Sequence, residues 1–131
     1  MASSGLAGIH GLALASALLL CACREGADLH VTQDRQGVTF TVQPRSEGVA
    51  ACIENVTLYP AAPDDADPLW EISGGRSISQ CVTRLRYGEL PNGFAAKQDA
   101  ASLQHGRSYR VMVTGAGFTA ATQFERVPPA H

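Results

Sequence analysis

Between Gly37 and Arg45 the chain reads GVTFTVQPR, and no other stretch restricts the fold as tightly. Val38, Phe40 and Val42 alternate with Thr39, Thr41 and Gln43, a period of two built on β-branched and aromatic residues and stopped by Pro44. Such alternation turns one set of side chains to a core and the other to water, which a strand does and a helix does not. The same grammar recurs. DLHVTQ (28–33) gives a first strand, and VAACIENVTLYP gives another around Cys52 to Tyr59, with Val56 and Leu58 on the Cys52 face of an unbulged strand. PLWEIS carries the single tryptophan, Trp70, before a Gly74-Gly75 turn. SQCVTRLRYG sets Cys81, Thr83, Leu85 and Tyr87 against Val82, Arg84 and Arg86. RSYRVMVTG and FTAATQFERV form a last pair joined through TGAG. After residue 23 no segment sustains a helical period, although AAKQDAASL (95–103) has room for one helical turn. Seven short strands punctuated by Gly and Pro predict an all-β fold, a small antiparallel sandwich.

The amino-terminal stretch follows a different rule. From Met1 to Ala22 there is no Asp, Glu, Lys or Arg, and all the charged residues follow Cys23. Its apolar core, GLALASALLL from Gly11 to Leu20, is shorter than the ~20 residues of a spanning helix and lacks a basic stop-transfer flank, so residues 1–22 read as a cleaved signal helix. The expected division is a signal at 1–22, a short linker at 23–28 and a sandwich at 29–131. A cut after Ala22 would place bulky Leu20 three positions before the site, a poor fit to an ordinary secretory signal.

The four residues Leu20-Cys21-Ala22-Cys23 resemble instead a bacterial lipobox, in which a leucine and two small residues precede a cysteine that receives lipid. That resemblance covers the signal alone. It implies a multiply acylated Cys23, a membrane as first partner and residence in the cell envelope. Arg24 in place of Asp after it implies the periplasmic face of the outer membrane if the organism is Gram-negative. A plain signal peptide and an uncleaved apolar anchor are the competing readings.

With Cys21 removed and Cys23 acylated, Cys52 and Cys81 remain, and an exported compartment is oxidising enough to join them. Two buried free thiols are the alternative. The pair lacks the CxxC spacing and neighbouring histidines of a zinc site, so neither metal nor cofactor is expected.

LQHGRSYRVMV (103–113) resembles the part of fibronectin type III domains where a leucine, a glycine and a tyrosine precede an alternating strand, here Leu103, Gly106, Tyr109, Val111 and Val113. The resemblance implies a tyrosine corner, in which the Tyr109 ring packs in the core and its hydroxyl bonds to backbone a few residues upstream. An immunoglobulin-like reading fits the order Cys52, Trp70, Cys81 loosely, with Trp70 packing over the bridge. The fold expectation is therefore an immunoglobulin- or fibronectin III-like sandwich of about seven strands with one disulfide.

Chemistry is harder to find. The net charge of −2 argues against a nucleic-acid partner, which calls for a basic surface. His30, His105 and His131 sit in no catalytic frame, and there is no GxSxG, HExxH or P-loop. Asp64, Asp65 and Asp67 lie between prolines but lack the glycine and distal glutamate of a calcium loop, and read as a solvated loop. Arg84 and Arg86, neighbours on one strand face with Arg76 nearby, suit an acidic envelope protein or an anionic glycan. Pairing with Glu54, Glu71 or Glu125 is the plainer use. In YGELPNGF (87–94), Tyr87 and Phe94 either anchor a partner or staple the loop to the core. The reading that follows is a membrane-anchored, non-enzymatic interaction module, an accessory or an inhibitor. The alternative is a small secreted hydrolase or glycan-processing enzyme.

Overall fold

The computed structural model describes residues 26–74 and 80–128. Cys21, Cys23, Arg76 and His131, with the expected signal helix, lie outside the described residues. The described residues form a β-sandwich of eight strands: β1 (Ala27–Asp34), β2 (Gly37–Pro44), β3 (Ile53–Pro60), β4 (Trp70–Ser73), β5 (Arg84–Arg86), β6 (Ala95–Gln98), β7 (Ser108–Gly115) and β8 (Phe118–Glu125). One sheet has the order β1-β2-β5 and the other β6-β4-β3-β7-β8, and every pairing is antiparallel.

The alternating positions of the sequence become the two inner faces. Phe40 with Val38 and Val42 lines the smaller sheet, and Ile53, Val56, Leu58, Trp70, Ile72, Val111 and Val113 line the larger, all of them buried. Burying each such side chain contributes roughly 1.5–3 kcal/mol, so the shared core holds the two layers together. The hairpins follow local chemistry. Asp34 Oδ1 accepts the backbone N–H of Gln36 at 2.7 Å and of Gly37 at 3.1 Å, closing the β1–β2 turn as an Asx turn. In the β7–β8 hairpin Gly117 holds φ +83°, and a Cβ on Gly115 would collide with the carbonyl oxygen of Cys52 and the ring of Phe118.

Cys52 and Cys81 are joined, with their Cα atoms 4.9 Å apart. Cys52 immediately precedes β3 of the larger sheet and Cys81 lies just before β5 of the smaller, so the bridge clasps the layers at one end. Beside it the Ile53 N–H donates to the Val82 carbonyl at 2.8 Å.

Several expectations are corrected. The register of β3 shifts between Ile53 and Asn55, so Ile53 joins Val56 and Leu58 in the core and Cys52 leaves that face. Residues 95–98 form β6, an edge strand on β4, and not a helical turn. The strand expected over 79–88 narrows to Arg84–Arg86. Trp70 pairs with Leu58, six residues and roughly 20 Å along β3 from Cys52, so it does not pack over the bridge.

Candidate functional site

The register of the smaller sheet builds its outer face row by row. Arg84 faces Thr41, which faces His30, and Arg86 faces Thr39, which faces Thr32. The two arginines thus share one face, but their states differ. The Arg86 guanidinium donates through Nη1 to Glu89 Oε1 at 3.2 Å and through Nη2 to Gln36 Oε1 at 2.9 Å. Arg84 is exposed and has no ion-pair partner among the described residues, and it stands about two strand spacings, roughly 10 Å, from His30.

Tyr87 and Phe94 turn inward, which corrects their candidacy as partner anchors. Phe94 is buried in the core. Tyr87 meets Trp70 edge to face with ring centroids 4.9 Å apart, and its hydroxyl donates to the Ala101 carbonyl. Burial, with the nearby Tyr109 phenol adding to it, pushes the Tyr87 hydroxyl up to about 12. Both side chains staple the 87–94 loop across the layers.

Tyr109 is buried, and its hydroxyl accepts the backbone N–H of Gln104 at 2.8 Å, five residues upstream. That bond shapes the 99–107 loop, and with it a cleft that the sequence does not announce. The cleft has a volume of about 390 Å³ and lies between this loop and the loop after β3, lined by Pro60, Ala62, Leu69, Gln104, Arg107 and Tyr109 among others. Its lining mixes apolar side chains with the polar Ser102, Gln104 and Ser108, and its single charged group is Arg107. Two loops some 40 residues apart assemble it, so the only signal in the sequence is the Pro-rich stretch at 60–69.

The aspartate loop flanks the same end. Asp64 is fully exposed, 3.8 Å from Arg110 Nη1, whose guanidinium lies 5.2 Å from the centroid of Tyr59. Among the described residues no three metal-ligating side chains converge. His105 is exposed in the loop before β7. Among them, too, no helix is long and apolar enough to cross a membrane.

The arrangement suits recognition: a cleft of mixed lining carrying one guanidinium at the end, and on a polar sheet face the Arg84 guanidinium, unpaired among the described residues. No protein-family model, curated protein or solved structure matches this chain.

Proposed function

We propose that the protein is a lipid-anchored envelope module of fibronectin III-like build, which holds a partner without acting on it chemically. The observation that carries this reading is the pairing of Cys52 with Cys81, which occupies two of the four sulfurs and leaves Cys21 and Cys23 ahead of β1, of which the likeness to a lipobox selects Cys23 for acylation. Three residues, 24–26, separate it from β1, four Cα steps with a reach of at most about 14 Å, so the domain stands close to its anchor. More than one acyl chain makes such attachment stable, each buried methylene contributing about 0.8 kcal/mol. The likeness to fibronectin type III domains is supported by the Tyr109–Gln104 bond.

The partner surface lies on Arg84 and at the Arg107 cleft, which together favour an acidic protein or an anionic glycan. Affinity capture from envelope extract with the tagged full chain tests the role, with Arg84→Glu and Arg107→Glu as probes. A stoichiometric partner lost on either reversal is the expected result; turnover of an ester or glycan without a stable partner would overturn the reading.

A further inference from the structure

We infer that the end of the sandwich where the chain enters β1 is a lipid-contacting surface, with Val49 as the side chain that dips into the bilayer. The inference rests on the reading of Cys23 as the acylated residue and adds to it an orientation and a contact.

The geometry ties the anchor to one loop. The Gly26 carbonyl accepts the Arg45 N–H at 3.1 Å, which pins the start of the described chain to the β2–β3 loop. Gly26, Pro44, Val49, Ala50, Ala116 and Phe118 line one small depression of about 140 Å³ at this end. Acyl chains on Cys23 would therefore emerge within about 11 Å of its rim.

The chemistry of the rim matches a bilayer. Val49, 52% exposed, is the most exposed large apolar side chain among the described residues. Ser46, Gly48, Ala50, Ala116 and Gly117 around it are small and uncharged. Arg45 is engaged by Asp28 at 2.9 Å, which leaves Glu47 as the one charge of the loop without a described ion pair. The far end carries exposed Asp64, Asp65 and Asp67, groups that low-dielectric surroundings exclude. One valine does not hold a free domain on a membrane. Tethering makes its insertion intramolecular, so a weak contact suffices. A bilayer, and not a folded ligand, is the occupant, since the depression is smaller than the ~300–1,000 Å³ of ordinary ligand pockets.

Two tryptophan reporters test the inference in the full-length protein purified from membranes and reconstituted into phosphatidylethanolamine–phosphatidylglycerol vesicles, with or without brominated acyl chains. The amino-terminal peptide of each sample is weighed first. An apolar side chain lying ~5–10 Å into the interface should have its emission roughly halved by bromine in Val49→Trp and left unchanged in Asp65→Trp, with buried Trp70 a common background. An acyl adduct with no quenching of Val49→Trp would overturn the contact and leave the anchor standing. Quenching of Asp65→Trp equal to that of Val49→Trp would overturn the orientation. A peptide without an acyl adduct would remove the anchor and this inference together.

Discussion

Trp70 on β4 and Tyr87 just after β5 meet edge to face at 4.9 Å, joining the two sheets at the end opposite the disulfide. The contact and the bridge act at different heights of the same interface. One is apolar, and the other is covalent.

Tyr87 gives a pH signature. Its folded-state pKa of about 12 lies above the ordinary phenol value of 10.0, so the fold favours the neutral phenol. Its contribution is fully present below pH 10 and is lost as the pH rises toward 12. Tyr87→Phe should remove that alkaline loss and lower stability at neutral pH by about 1 kcal/mol, the net worth of one hydrogen bond. Denaturant titrations of both proteins across the alkaline range check this. An unchanged alkaline slope would count against it.

The Cys52→Ser, Cys81→Ser double variant should lose about 3–4 kcal/mol, the chain-entropy value for cysteines 29 residues apart. Equilibrium unfolding in urea measures the loss. Thiol labelling of the denatured, unreduced parent should find neither of these two cysteines reactive.

Tyr109→Phe keeps the buried ring and strips the acceptor from the Gln104 N–H. A cost of about 1–2 kcal/mol is expected, with increased amide exchange confined to residues 103–106. Exchange spread evenly over β7 and β8 would argue against a local role.

Gly115 and Gly117 should separate two reasons for glycine. Gly115→Ala drives a methyl into the Cys52 carbonyl, a backbone atom that cannot turn aside, and should cost about 2–3 kcal/mol. Gly117→Ala meets open space and bears only the strain of φ +83°, about 1 kcal/mol. Thermal melts give the order directly.

How much of this was legible in the sequence depends on whether a segment's own pattern decides its state. GVTFTVQP and SYRVMVTG alternate because each has one wet face and one dry face, so their strands are readable residue by residue. AAKQ has no such pattern: all four residues of β6 are exposed, and pairing with β4 alone makes it a strand. The bulge at Ile53–Asn55 is equally silent, because a single inserted residue leaves composition untouched while moving Cys52 off the core face. The bridge was legible only through the expectation of an oxidising compartment with Cys21 and Cys23 set aside, which leaves Cys52 and Cys81 to pair. The site was less legible. Arg84 and Arg86 share a face as their spacing requires, yet the capture of Arg86 by Gln36, 50 residues away, is a tertiary fact. The Arg107 cleft belongs to two distant loops and has no signature of its own.

Gln33 bears on how copies of the domain behave when crowded. Its carboxamide acts as a surrogate peptide group between β1 and β8: Nε2 donates to the Glu125 carbonyl at 2.8 Å, and Oε1 accepts the Val127 N–H at 3.1 Å. The carboxyl-terminal ends of these two edge strands are thereby clamped together, while a cleft of about 320 Å³ separates Ala27–His30 from Thr119–Thr122 along the rest of the flank. In a dense array the extended ribbons a neighbour would copy are these two eight-residue edges, and the Gln33 clamp occupies them at one end only.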